Sequence, residues 1–197
     1  MKNEKVVALL NEVFAGENIE SINVVDDNTI EINKQLFLVF DNNEADDYYY
    51  DFQKEIIDDL GLDSFSDSFQ DSIINNYIDT DYFFNIMNES NEFYLDDIEN
   101  EPSLTHDNRL EEEIEDHNCS TREEYLALLN SNYDNAVDWY RDNFGDEEFK
   151  EYIKENAHLI DWDGVIEECK NIDGRGIIAN YDGCEIELEN GYFAYRI

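Results

Sequence analysis

Positive charge is what this chain has least of. Twelve Lys and Arg stand against 51 Asp and Glu, a formal net charge of -39 over 197 residues. Gripping nucleic acid or an anionic lipid surface by charge needs a basic face. Direct nucleic-acid binding and membrane-surface binding are therefore excluded. Proline is nearly missing as well, Pro102 being the single one. The three cysteines, Cys119, Cys169 and Cys184, are odd in number and widely spaced. They form no CxxC, which argues against a disulfide scaffold and a zinc knuckle. They read as reduced thiols of a cytoplasmic protein. No apolar run approaches the ~20 residues of a membrane span. The start, Lys2-Asn3-Glu4-Lys5 before the short patch Val6 to Leu10, is too polar for a secretory signal.

Signatures of chemistry are missing too. There is no P-loop, GxGxxG, HExxH or GxSxG. His106, His117 and His158 are isolated, and His117 and Cys119 have no second ligand pair. Asn130, Asn132 and Asp134 sit at EF-hand spacing. Position six is then Asn135 and position twelve Arg141, where the loop requires Gly and Glu. Asp79-Thr80-Asp81 and Asp161-Trp162-Asp163-Gly164 are short DxD patterns without a completed ligand set. The expectation is a non-enzyme with no cofactor and no dedicated metal site.

What the chain does have is enough apolar matter for a core. Hydrophobic residues make up 42% and aromatics 14%, unlike an acidic disordered tail. Val6, Val7, Leu9, Leu10, Val13 and Phe14 recur at helical spacing, with Gly16 as a stop. Residues 20 to 40 alternate in short runs and read as a three-stranded antiparallel meander. Residues 43 to 118 read as mainly helical. Asp41 is the expected N-cap and Gly61 the expected stop. Tyr48, Phe52, Ile56 and Leu60 form one apolar row, and Leu62, Phe65, Phe69 and Ile73 a second. If Tyr48 faces the core, Tyr49 or Tyr50 must face solvent. Tyr82 to Met87 predicts a short helix, and Pro102 a break. Ser120 and Glu123 form a capping-box pair. Helices are expected over 136–144, 147–153 and 163–169, and strands over 177–181, 185–188 and 192–196. Asp182-Gly183 and Asn190-Gly191 are turn dipeptides. The expected fold class is α+β: an N-terminal helix and antiparallel meander, an acidic helical middle, and C-terminal helices with a β-hairpin. By composition the segments are 1–60, 61–118 and 119–197, within one compact domain or several.

One register stands out. Asp47, Asp51, Glu55, Asp59, Asp63, Asp67 and Asp71 recur at every fourth residue, with Asp58 beside them. Lys54 is the only Lys or Arg between Asp41 and Asn108. Within a helix, i+4 neighbours lie about 6 Å apart along the axis. Each like-charged pair costs roughly 0.2–0.5 kcal/mol. Helix stability is sacrificed to a surface field. Glu111, Glu112, Glu113, Glu115 and Asp116 crowd a second acidic patch. Duplex DNA carries one negative charge per ~1.7 Å of axis, and its binding proteins meet it with Lys and Arg. A carboxylate array can occupy the same cleft and steer its own association.

The C-terminal residues carry a resemblance. Asp173-Gly174-Arg175-Gly176, Tyr181-Asp182-Gly183 and Tyr192-Phe193-Ala194-Tyr195-Arg196 resemble the ending of small acidic phage and plasmid proteins of unassigned activity. Leu36 to Phe40 followed by Glu44-Ala45-Asp46 is similar to an upstream portion of that group. The acidic bias and hairpin ending are loosely similar to antirestriction proteins that mimic DNA. The resemblance implies a mobile-element setting, and about a third of the chain carries it.

The expectation is a DNA-mimic inhibitor of a host defence protein, of restriction-modification or CRISPR type. Its partner would be a basic DNA- or RNA-binding protein. A two-fold homodimer would lengthen the charge array. Two other readings stand beside it: an acidic module for a basic partner without DNA mimicry, and a divalent-cation-binding protein. Arg175 between two glycines reads as a turn arginine paired internally with a carboxylate.

Overall fold

A computed structural model describes residues 2–100, 109–133 and 135–197. Pro102, His106 and Asp134 lie outside them. The described residues form an α+β fold of helices and one five-stranded antiparallel sheet. Tertiary contacts divide the chain into two units, Met1–Ser64 with Trp162–Ile197, and Phe65–Asp161.

The first unit joins both ends of the chain. Helix α1 (Lys2–Glu12) buries Ala8 and Leu9 one turn after Lys5. Strands β1 (Ile22–Val24), β2 (Thr29–Ile32) and β3 (Gln35–Asp41) are the meander. Asn33 and Lys34 turn β2 into β3, both at positive φ, 48° and 68°. That is the twist a two-residue hairpin loop favours. The Asn33 side chain secures it by accepting from Glu20 and Ser21 N–H and donating to the Asn18 carbonyl.

Strands β4 (Glu185–Glu187) and β5 (Tyr192–Arg196) form the C-terminal hairpin, and β5 pairs with β3. The sheet order is β1-β2-β3-β5-β4. Central β3 buries Phe37, Leu38, Val39 and Phe40 in succession, so both faces are covered. Phe37 and Val39 join Leu9, Phe14, Ile30, Ile32 and Ala194 in one core. Phe40 packs at a tilt against Tyr48 and Tyr195 on the other face.

The strand expected over 177–181 does not form. Gly176–Ile178 is a 3-10 turn, burying Ile178 and Ala179. Glycine permits the curl: a Cβ on Gly176 would stand 2.3 Å from the Gly183 carbonyl oxygen. Only glycine fits there, and the chain curls back on itself instead of extending.

The second unit is helical: α3 (Asp67–Asn76), α4 (Thr80–Asn100), α5 (Arg109–Asp116), α6 (Arg122–Ser131), α7 (Ala136–Phe144) and α8 (Asp146–Glu155). Helix α4 is much longer than the expected Tyr82 to Met87. Its buried stripe runs Phe83, Met87, then Leu95 and Ile98. Asn91 interrupts the apolar period, but its amide donates to Asn130 Oδ1 at 2.8 Å. A satisfied polar residue thus sits where the sequence pattern breaks. Phe83 packs edge-on against Tyr140 and Phe149. Leu95, Ile98, Leu110 and Tyr125 form a second cluster.

The cap of α6 is Thr121, one residue on from the expected Ser120, and the reciprocal bond of a capping box is replaced by one to the residue before the cap. Thr121 Oγ1 accepts from Glu124 N–H, and Glu124 accepts from Ser120 N–H at 2.7 Å. Helix α9 (Trp162–Asp173) returns to the first unit.

Candidate acidic interaction surface

Helix α2 (Asn42–Leu60) carries most of the acidic register. Its start is a complete capping box. Asp41 Oδ1 accepts from Glu44 N–H at 2.9 Å, and Glu44 Oε2 accepts from Asp41 N–H at 2.9 Å. Two otherwise orphaned donors are thereby satisfied. Its end is Gly61, at φ 56°.

The buried row of α2 is Ala45, Tyr49, Gln53 and Ile57. This corrects the expected row at Tyr48, Phe52, Ile56 and Leu60. Tyr48 is 40% exposed and Leu60 57%. The sheet explains the shift: Tyr48 lies against Phe40 at the margin of the interface, while Tyr49 is buried. The correction moves the ladder. Asp47, Asp51, Glu55 and Asp59 each follow a buried residue by two positions, about 200° around the axis. They lie opposite the core and not beside it, and all are exposed. Asp58 is exposed as well.

The acids on the flank of α2 are used internally. Lys5, nearly buried, donates to Glu44 at 2.6 Å and to Asn28 at 2.7 Å. Arg175 is the larger hub. Its Nε donates to Glu185 at 2.7 Å. Its Nη1 donates to Asp46 at 2.9 Å and to the Asn42 carbonyl and side-chain oxygen at 3.1 Å. The guanidinium lies 4.5 Å from the Phe193 ring centre. Burial pulls the Arg175 pKa down, but Glu185, Tyr195 and Asp46 outweigh it, and the net shift is upward. Tyr195 donates to the same Glu185, and burial followed by that contact pushes its pKa up. The expected internal pairing of Arg175 is thus present. What the sequence did not reveal is its reach into α2, since Asn42 and Asp46 are more than 125 positions away.

The rest of the ladder is divided. Asp63 lies on the 3-10 turn Gly61–Ser64. Asp67 opens α3 and Asp71 follows on it, both in the second unit. The ladder therefore falls as four, one and two residues on successive elements. Asp71 is not left as bare charge, because Lys150 approaches it at 2.7 Å. On α5, Glu111, Glu112, Glu115 and Asp116 are exposed. Glu113 departs from them. It is half-buried and accepts from the Tyr125 hydroxyl at 3.2 Å, with His117 at 3.8 Å.

The calcium-like patterns have other uses. Asn130 binds Asn88 and Asn91, and Asn135 caps α7 by accepting from Asp138 N–H. Asp79 accepts from Tyr82 N–H at the start of α4, and Asp163 accepts from the Tyr50 hydroxyl. Among the described residues, no group of three or more His, Cys, Asp or Glu side chains could hold a metal ion. No helix among them is long and apolar enough to cross a membrane.

Fold and surface together define an acidic α+β protein whose helix α2 turns a carboxylate row outward from a sheet-backed core. No family model, curated protein or solved structure matches the chain.

Proposed function

We propose that this protein is a non-enzymatic DNA-mimic inhibitor. It occludes the basic nucleic-acid-binding cleft of a host defence protein and is encoded by a phage or other mobile element. The observation that carries the reading is the outward row on α2. Asp47, Asp51, Glu55, Asp58 and Asp59 are exposed over twelve residue rises, about 18 Å. One carboxylate per ~4.5 Å of axis approaches the ~3.4 Å phosphate spacing of one DNA strand. The row is rigidly backed, because Ala45, Tyr49 and Ile57 are buried on the opposite side. A cleft lined with Lys and Arg would meet it with little reorganisation, and long-range attraction would speed the encounter.

The test is capture from nuclease-treated host lysate with a salt gradient, followed by competition with duplex DNA. The expected partner is one DNA-binding protein, held beyond the salt that strips general basic proteins and released by duplex. The variant Asp47→Lys, Asp51→Lys, Glu55→Lys, Asp59→Lys should stay folded and lose that partner. A partner that holds DNA and this protein at once would overturn mimicry and favour an acidic module for a basic surface.

A further inference from the structure

The sheet has two edges, and they are treated differently. Strand β4 carries Glu185 and Glu187 on either side of half-buried Ile186. Glu185 is taken up by Arg175 and Tyr195, but the charge of Glu187 remains on the edge, and charge there discourages further pairing. Strand β1 has Ile22, Asn23 and Val24, all exposed, with no charge of its own.

Its hydrogen bonding is fixed by two flanking pairs. Val25 N–H donates to the Thr29 carbonyl at 2.9 Å, and Asn33 N–H to the Ser21 carbonyl at 3.1 Å. In an antiparallel ladder the bonded pairs alternate. Residues 21, 23 and 25 therefore turn their backbone groups toward β2, and Ile22 and Val24 turn theirs away. The side chains alternate as well. Ile22 lies opposite Ile32, and Val24 opposite Ile30. Ile30 and Ile32 are buried in the core, so Ile22 and Val24 extend that apolar face one strand farther, 46% and 39% exposed. On the other face Asn23 donates to Glu31 at 3.3 Å.

We infer that β1 is a docking edge for an extended basic segment of a partner protein, one that alternates apolar residues with Lys or Arg. The segment adds as a sixth strand. Its backbone bonds to Ile22 and Val24, its apolar residues line up with those two side chains, and its basic residues reach over Asn23 toward Glu31. Main-chain pairing supplies affinity and the alternating side chains supply selectivity. Charge decides the occupant. A second copy would bring Glu31 and a net charge of -39 against their like, whereas a basic segment is attracted to both. The inference goes beyond DNA mimicry and does not depend on it, because β1 is not part of the α2 row.

The test uses the full-length protein, isotopically labelled, and a capped peptide of about eight residues alternating Lys and Val. A matched peptide is N-methylated at the alternate residues that would bond to β1. It has the same charge and cannot form the ladder. In roughly 0.3 M salt, where screening is strong, the unmodified peptide should shift the amide signals of residues 22–25. The methylated one should bind about tenfold more weakly, through the loss of about two hydrogen bonds. Val24→Pro removes one outward donor and leaves pairing with β2 intact. It should melt like the parent and bind the peptide several-fold less. Equal binding of both peptides, or shifts confined to α2, would overturn the inference. So would a concentration-dependent dimer whose contacts lie on β1, since a second copy would then be the occupant. If Val24→Pro perturbs the strand, the two peptides on the parent protein still decide.

Discussion

The two units carry similar charge and place their cations differently. The first has seven Lys and Arg against 24 Asp and Glu, the second five against 27. In the first unit Lys5 and Arg175 are withdrawn from water, with side chains only 4% and 9% exposed. They neutralise Glu44, Asp46 and Glu185 at the flank of α2. No Lys or Arg among the described residues pairs with Asp47, Asp51, Glu55, Asp58 or Asp59. In the second unit two of the cations, Lys150 and Arg122, keep contact with solvent. Lys150 meets Asp71, and Arg122 meets Asp96, with half or more of each carboxylate exposed. The contrast teaches what a scarce cation is for. Buried, it organises the fold and leaves the outer acids unopposed; exposed, it only moderates the local field.

The strongest way to break the contrast is to remove the hub. Arg175→Ala leaves Glu185 without its cation and Asp46 with only Lys170, at 3.8 Å. Breaking a buried pair costs about 3–5 kcal/mol, and the low end applies here because both carboxylates reach water. Urea unfolding should show a loss of about 3 kcal/mol. A loss below about 1 kcal/mol would mean the hub is not structural.

Alkali acts next, and on both units. Burial is the leading cause that pushes Tyr49 and Tyr125 up to about 12. Tyr152, hydrogen-bonded to Tyr82, is also pushed up to about 12. An unfolded tyrosine ionises near pH 10. Below that pH the folded and unfolded forms bind the same proton, and the contribution is fully present. Between about pH 10 and 12 the unfolded chain loses protons that the folded chain keeps, so stability falls. Burial pushes the Cys169 thiol up to about 11 as well, so melting temperature should begin to fall above about pH 8.5 and drop steeply above about pH 10, with tyrosine absorbance changing together with unfolding. Ionisation of all tyrosines before any loss of structure would sink this account.

Much of this architecture was legible in the sequence because it is local. Asp41 and Gly61 bound α2 through capping and turn chemistry. The meander and the Asn190-Gly191 hairpin follow from alternation and turn residues. What was not legible is long-range. No period in the sequence says that β5 pairs with β3, or that Arg175 reaches Asp46. The facing of α2 was misread by one residue because Tyr48, Tyr49 and Tyr50 are chemically alike, and only packing on the sheet selects Tyr49. Residues 177–181 look like a strand, yet they begin in a 3-10 turn whose close approach to the Gly183 carbonyl only Gly176 permits. For the candidate surface, the sequence supplied the register and the fold supplied its direction.

A gain of stability is expected where the ladder is relieved. Glu55 has like charges four residues away on both sides, Asp51 and Asp59. Glu55→Lys converts two repulsive pairs into attractive ones. At roughly 0.2–0.5 kcal/mol per pair each way, the helix should gain about 1 kcal/mol in low salt. The gain should shrink as salt rises and the Debye length falls. A neutral or destabilising result in low salt would show that the acids of α2 are compensated by contacts other than Lys or Arg.

The smallest effect is the most discriminating. Lys150→Ala removes a contact as short as the one Lys5 makes, 2.7 Å against 2.6 Å. Distance alone would predict equal consequences. Exposure predicts otherwise, since Lys150 is 41% and Asp71 52% exposed. Water screens the attraction, and holding two long side chains together costs entropy, so such pairs contribute about 0–1 kcal/mol. Thermal and urea melts of Lys150→Ala should lie within about 0.5 kcal/mol of the parent. The pKa of Lys150 is raised, chiefly by Asp71. The small benefit is therefore present at neutral pH and disappears as alkali deprotonates the lysine. A loss comparable to that of Arg175→Ala would erase the distinction between the units, because solvated and buried cations would then hold the fold alike.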